Sequence, residues 1–450
     1  MEAPTRTRPQ RGEQLELHID DLAFGGAGVA RTDGYVVFVQ GAVPGDTVRA
    51  EVTKSKRSFG EARAVEVLEP GPDRVDPVAD HPGAPWQVLR YERQLEVKQA
   101  QVDDALRRLG HLDGFTLEPI VEAEQRWRYR NKLEYSFGSD PDGNSVCGFH
   151  APGRWDRIVG MEDCLLASER GNEVRNRVAA WCREEGLSAY DRRTSQGFLR
   201  NLVVREGRRT GLIQARLVTG PGEFGVDDLA SASGADSFLW TTTDQLGETT
   251  HGGETEIVTG SAYLEEELAG LRFRISPEAF FQTNTEMAER LYGIAGEYAA
   301  LAGRERLFDL FSGIGTVGLT LSARAAQLYG LEIVPEAVAD AIENARLNEV
   351  EHAQFFAGDV RLAMRELVEM AGKPDVLVVD PPRAGLSKKV VRRIIEAAPR
   401  RIVYVSCNPT TLAPNAAQLA EAGYALRRVR PVDMFPQTPH IECVALLERG

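Results

Sequence analysis

The 450-residue chain is longer than one ordinary core supports, so two or three domains are expected, and its 42% apolar and 27% charged content is that of a soluble globular protein. No stretch is apolar enough to span a membrane, residues 1–12 are basic and polar rather than a signal peptide, and five irregularly spaced cysteines argue against a secreted disulfide framework. The net charge of −14 weighs against a nucleic-acid partner only weakly, because phosphate binding depends on local patches rather than on the sum. A monomer in a reducing cytoplasm is the default expectation.

In chain order, residues 1–13 read as a disordered tail. Residues 14–69 predict a small β-barrel, with short alternating runs at 15–19, 35–39, 47–52 and 62–67 separated by Gly, Pro and Asp turns. After a Pro- and Asp-rich connector, Leu95, Val102, Leu106 and Leu109 recur at roughly helical spacing, which predicts one amphipathic helix over 89–109 with Gly110 as its stop. Strand-like runs between loops, such as 132–137, 198–205 and 211–217, make 70–270 a linker helix plus an α+β or all-β middle domain. From 271 to 450, short apolar strands followed by helices indicate a parallel, doubly wound α/β domain.

Within that last domain, a strand runs into Asp309-Leu310-Phe311-Ser312-Gly313-Ile314-Gly315 and then a helix. Glycines at such a turn let a ligand approach the backbone, and the helix start favours polar groups. Glu332 ends the next strand, suited to ribose hydroxyls, and Asp359 ends another, where it could meet an adenine amine. No Gly-Lys-Ser/Thr phosphate loop is present, and an adenosyl cofactor without phosphates, S-adenosylmethionine, fits better than NAD. Two further strand ends deliver Asp380-Pro381-Pro382-Arg383 and Ser406-Cys407-Asn408-Pro409 to the edge where ligands bind. Cys407, among polar residues before a proline turn, reads as a nucleophile against the commoner buried structural thiol. His440 and Glu442, just before the last strand, are candidate bases, and a surface loop carrying Glu is the alternative.

Together, Phe280-Phe281-Gln282-Thr283-Asn284, the glycine turn, Asp380-Pro381-Pro382-Arg383, Ser406-Cys407-Asn408-Pro409 and His440-Ile441-Glu442 resemble the bacterial RNA uridine-C5 methyltransferase family in order and spacing. Gly25-Gly26-Ala27-Gly28 and Val43-Pro44-Gly45-Asp46 make the barrel similar to a TRAM domain, an OB-like RNA-binding module. The resemblance implies Cys407 as the nucleophile that adds to C6 of uracil and Glu442 as the base that removes the C5 proton. It implies that Gln282, Phe311, Glu332 and Asp380 contact the cofactor, beside Gly313 and Asp359 as read from the strand ends, with Asp380 also able to orient the uracil. Phe280 and Phe281 would flank the base, or pack in a core. Many TRAM-containing relatives hold an iron–sulfur cluster on four cysteines. Here residues 80–87 contain none and only Cys164 remains of the pattern, so no cluster and no other metal is expected.

RNA, ribosomal or transfer, is the implied partner. Extruding a uridine needs backbone contacts and stacking groups, and the mixed run from Arg126 to Lys132, including Arg130, together with Lys54, Lys56 and Arg57 of the barrel, is the candidate RNA path. Two competing readings are an RNA-binding or RNA-folding protein with vestigial catalysis, and a cytosine-C5 enzyme. The second is disfavoured because Arg383, not a cysteine, stands in the Asp380-Pro-Pro segment.

Overall fold

The computed structural model describes residues 8–32, 34–247 and 249–450. Of the expected tail, residues 1–7 lie outside these. Residues 8–13 are held against the barrel rather than loose, with the Gly12 N–H donating to the Val52 carbonyl at 2.8 Å. The barrel is a six-stranded sheet in the order Gln14–His18, Thr47–Ser55, Phe59–Glu69, Tyr35–Gln40, Gly28–Thr32, Asp21–Leu22. Alternation buries Leu17, Val37, Val39, Val48, Ala50 and Ala62 on its inner face. Three register shifts between the two longest strands bend the sheet. Asp46, fully buried in the turn before Thr47, accepts the Val43 and Gly71 N–H groups and pairs with Arg74, which ties the barrel to the connector.

The linker helix spans Tyr91–Asp104 and passes into a π-helical turn at Ala105–Leu109. Of the expected apolar stripe, Val102 and Leu106 are buried in the core, Leu95 is partly buried and Leu109 is exposed, and the buried face also takes in Tyr91, Gln94, Val97 and Lys98. The central region is a seven-stranded mixed sheet from Lys132–Ser139 to Glu254–Thr259, antiparallel except for Ile213–Thr219 against Ser237–Thr242. Helices Glu169–Glu184 and Val226–Ser233 complete it, with Tyr135, Val178, Leu202, Leu217 and Phe238 in its core, an α+β arrangement.

The C-terminal sheet has eight strands in the order Ala353–Ala357, Gln327–Glu332, Arg306–Leu310, Val376–Val379, Arg401–Ser406, Glu442–Arg449, Tyr424–Val432, Thr116–Leu117. The first five run parallel and helices cover both faces, so Val376–Val379 is buried at every position. Strand order reverses between Arg306–Leu310 and Val376–Val379, and a ligand crevice forms at the carboxyl ends of strands flanking such a switch. The edge strand Thr116–Leu117 comes from just after the linker helix. The hairpin Leu264–Leu268/Leu271–Ile275 shares the hydrophobic core of the C-terminal sheet.

Candidate active site

The glycine turn is built on conformations that most residues avoid. Phe311 sits at φ 62°, Gly313 at 53° and Gly315 at 85°, the last opening helix Thr316–Ser322. Asp309, fully buried, accepts the Gly318 N–H at 2.8 Å, and a Cβ at Gly318 would lie 2.7 Å from that same carboxylate oxygen. The Glu332 carboxylate spans the turn, accepting the N–H of Gly313 at 3.0 Å and those of Ile333 and Val334 on its other oxygen. Asp359 has a local role that its sequence position did not reveal. It caps helix Val360–Ala371 through the Arg361 N–H and pairs with the Arg361 guanidinium, so both its oxygens are engaged.

Next to this turn, Gln282 is buried and donates to Asp380 in a long contact of 3.4 Å. Gln282 is fixed from the central region, because Asn131 donates its side-chain amide to the Gln282 carbonyl at 2.9 Å and its backbone N–H to the Thr283 carbonyl. Asn284 then caps helix Thr285–Ala299. The two neighbouring phenylalanines differ: Phe281 is buried in the core against Phe273, which answers its either-or in favour of packing, while Phe280 is 68% exposed.

Cys407 and Glu442 are brought together by strand pairing. Ser406 pairs with Cys443 in the antiparallel register of Arg401–Ser406 against Glu442–Arg449, so the next position along each strand puts Cys407 opposite Glu442. Glu442 is 4% exposed and Cys407 half-buried. Asn408 caps helix Pro409–Glu421 and donates to the Arg383 carbonyl at 3.0 Å, locking the cysteine turn to the Asp380 turn. The Arg383 guanidinium lies 2.6 Å from His440 Nδ1.

Electrostatically this is an acidic, poorly solvated pocket. Burial first, then Glu442 and Asp380, pushes the Cys407 thiol up to about 11. Burial raises Asp380 to about 7 and, with Asp380 beside it, holds Glu442 well above the usual carboxylate range. Asp309 is pushed to about 7, again mainly by burial. Arg383 is the cation that counters the rise at both Cys407 and Glu442. His440 is driven down to about 4 by burial and by Arg383, Arg130 and Lys98, so it stays neutral through the physiological range. Glu442, by contrast, binds its proton more tightly than a free carboxyl, chiefly because it is buried.

Several residues of the cationic run from Arg126 to Lys132 make contacts within the chain. Arg126 lies over the Tyr91 ring, Arg128 is bidentate on Asp163, Tyr129 donates to the Pro436 carbonyl, Arg130 stacks near Phe435 and Lys132 pairs with Glu134. In the barrel, Lys54 pairs with Glu61 and Lys56 lies over Phe59, whereas Arg57 is exposed. His81 Nε2 lies 3.3 Å from Cys164 Sγ, both buried. Among the described residues no group of three or more His, Cys, Asp or Glu is placed to hold a metal. That pair does not meet a cluster's demand for four thiolates.

Residues 249–450 match the family model described as tRNA (uracil-5-)-methyltransferase, and residues 8–65 match the TRAM domain. An uncharacterized RNA methyltransferase of Bacteroides thetaiotaomicron is 38% identical, with 95% of this chain and all of that one covered. One from Halalkalibacterium halodurans is also 38% identical, with 97% of each covered. The chain belongs to the RNA uracil-C5 methyltransferase family. The solved Pyrococcus abyssi tRNA (uracil-54, C5)-methyltransferase, in complex with S-adenosyl-L-homocysteine, is similar in structure at TM-score 0.78 and 28% identity, covering 96% of this chain and 100% of that one. The enzyme is therefore a transferase with an OB-like barrel ahead of a doubly wound sheet. Its glycine turn fits a methyl-donor nucleoside: a Cβ at Gly313 would meet nothing within 4 Å, and Ser312 Oγ and Asp309 Oδ1 are buried without partners beside it. Among the described residues no helix is long and apolar enough to cross a membrane.

Proposed function

We propose that the enzyme forms 5-methyluridine in ribosomal or transfer RNA, with Cys407 as covalent nucleophile and Glu442 as the base that removes the C5 proton. The observation that carries this reading is the pairing of a half-buried thiol with a buried, high-affinity carboxyl across adjacent strand ends, beside Asp380. Phe311, Gly313, Glu332, Gln282 and Asp380 would hold S-adenosylmethionine, which supplies an electrophilic methyl when bound. C5 of uracil is a weak nucleophile. Cys407 gives its proton to solvent and its thiolate bonds to C6, and the C5–C6 π pair moves toward C5 and the C4 oxygen, which leaves an enolate with electron density at C5. After C5 is methylated, the Glu442 carboxylate takes the C5 proton, the C5–C6 double bond reforms and the bond to sulfur breaks. Arg383 stabilises the negative charge that develops on the sulfur and on Glu442. Asp380 offers an acceptor for the uracil N3–H, and Phe280, exposed next to Gln282, offers a stacking surface.

The test is methyl transfer from labelled S-adenosylmethionine to unmodified total RNA, fractionated by size, with wild type, Cys407→Ala and Glu442→Gln. Label recovered as 5-methyluridine with wild type alone supports the reading, and the labelled fraction names the RNA class. Activity retained by Cys407→Ala refutes it.

A further inference from the structure

Glu442 closes a segment, residues 433–441, that joins strands Tyr424–Val432 and Glu442–Arg449 and is held mainly by groups from elsewhere in the chain. Four successive carbonyls in it each accept a donor of different origin. Asn284 Nδ2 donates to Met434 at 2.9 Å, Lys98 Nζ to Phe435 at 3.0 Å, Tyr129 Oη to Pro436 at 3.0 Å, and the Trp86 N–H to Gln437 at 2.9 Å. Four backbone acceptors satisfied from four segments over-determine the path of the chain.

The linker helix contributes most. Tyr91, Gln94 and Lys98 lie on one helical face at i, i+3 and i+7. Lys98 Nζ and Tyr91 Oη both donate to Asp433, at 2.6 and 2.7 Å, with Lys98 and Asp433 each 0% exposed. Gln94 forms a reciprocal pair with Gln437, donating to its side-chain oxygen at 2.8 Å and accepting its backbone N–H at 3.0 Å. Gln437 is held at φ 65°, a left-handed conformation that a non-glycine residue keeps only where its surroundings impose it. Isolated buried charges are strongly disfavoured, so the Lys98–Asp433 contact admits few alternative geometries. Glu442 is the first residue of its strand, paired with Val432, so the segment runs directly into it, whereas Cys407 follows a strand flanked on both sides within the C-terminal sheet and precedes a helix that Asn408 caps.

We propose that Lys98, Asp433, Gln94 and Gln437 are positioning residues for the base: strand pairing sets the register of Glu442 opposite Cys407, and the linker helix, by holding segment 433–441, fixes the strand end that Glu442 opens, whereas Cys407 is held by its own strand and the helix after it. This rests on the reading of Glu442 as the base that completes turnover. It follows that disturbing the helix-to-segment contacts impairs C5 deprotonation more than thiol addition, so the covalent RNA adduct accumulates.

The experiment compares wild type, Glu442→Gln, Gln94→Leu and the double variant Lys98→Met/Asp433→Asn, which removes both buried charges and leaves an acceptor for Tyr91. Each full-length protein is mixed with unmodified total RNA and S-adenosylmethionine. Three quantities are read: kcat, KM, and the fraction of folded enzyme found as a denaturant-resistant RNA adduct. For the double variant, kcat is expected to fall by up to about 100-fold, as for an ångström-scale displacement of a catalytic group, with KM little changed and the adduct fraction raised toward that of Glu442→Gln. Gln94→Leu, which leaves the ion pair in place, should move the same way by less. An adduct fraction per folded molecule equal to wild type in both, with only a lower melting temperature, would show a merely structural contact and overturn the inference, leaving the base assignment intact. If Glu442→Gln itself trapped no adduct, the base assignment would fail and take the inference with it.

Discussion

The most direct consequence of the site's charge distribution is an unreactive resting thiol. Cys407 is pushed from an ordinary 9 to about 11, first by burial and then by Glu442 and Asp380. Two pH units change the thiolate population a hundredfold: at pH 8 about one molecule in a thousand would be ionised, against about one in ten for an ordinary thiol. Alkylation by iodoacetamide follows the thiolate, and the other four cysteines, Cys147, Cys164, Cys182 and Cys443, are buried, so the modified fraction at Cys407 reports its titration. Between pH 7 and 11 the rate in the free enzyme should rise with a midpoint near 11. Glu442→Gln removes a neighbouring negative charge and should lower that midpoint, while Arg383→Met removes the countering cation and should raise it. A midpoint at or below 9 in wild type, or both variants moving the same way, would refute this account of the pocket.

Three further outcomes are expected. Asp309, fully buried, has a folded-state pKa raised from 3.8 to about 7, so the stability it permits is complete below about pH 4 and is lost as pH rises through 7; the urea stability of wild type should fall relative to Asp309→Asn by about 3 kcal/mol between pH 5 and 8, and parallel curves would exclude it. Gly26, at φ 90°, carries the barrel loop against the segment that leads into Glu442, where a Cβ would lie 2.9 Å from both Pro439 Cβ and Trp86 Nε1; Gly26→Val should lower the melting temperature and the methylation rate together, and an unchanged rate would show that the barrel's seat is irrelevant to the site. Neutralising Lys54, Lys56 and Arg57 to Gln should lower the slope of log affinity for RNA against log salt by roughly 2, with Arg57 contributing more than Lys54, whose charge already faces Glu61; an unchanged slope removes the barrel from the RNA path.

What was legible in the sequence is what depends on neighbours along the chain. An apolar strand followed by a polar turn and a helix specifies itself locally, so the glycine turn after Arg306–Leu310 and the turns after Val376–Val379 and Arg401–Ser406 could be placed before any tertiary contact was known. Long-range pairing could not. Nothing in the residue pattern marks Lys98 as buried: a lysine on an amphipathic helix ordinarily lies on the solvated face, and its partner Asp433 is 335 positions away. The same limit applies to the run at 126–132, whose contacts with Asp163, Tyr91, Pro436 and Phe435 in the fold composition does not reveal. At Asp359 a local role was hidden: an acid at a strand end is also an ordinary helix cap, and Arg361 two residues later pairs with it. The edge strand Thr116–Leu117 was hidden because two residues carry no periodicity.

The acidity of the pocket bears on how an enzyme with a net charge of −14 handles an anionic substrate. Asp309, Asp380 and Glu442 all bind protons more tightly than free carboxyls, and each does so chiefly because burial disfavours its charge. Arg383 is the countering cation at both the thiol and the base, and it is shared with His440, whose depressed pKa adds no second positive charge. A cation entering such a pocket lowers every one of these values together, the thiol included, whereas a neutral ligand that only excludes water raises them further. S-adenosylmethionine carries a sulfonium, and its demethylated product does not. Under the proposed mechanism, the charge excess that keeps Cys407 protonated at rest would favour a thiolate while the methyl donor is bound and withdraw that support after transfer, when Glu442 would take the C5 proton and its raised affinity would help keep it.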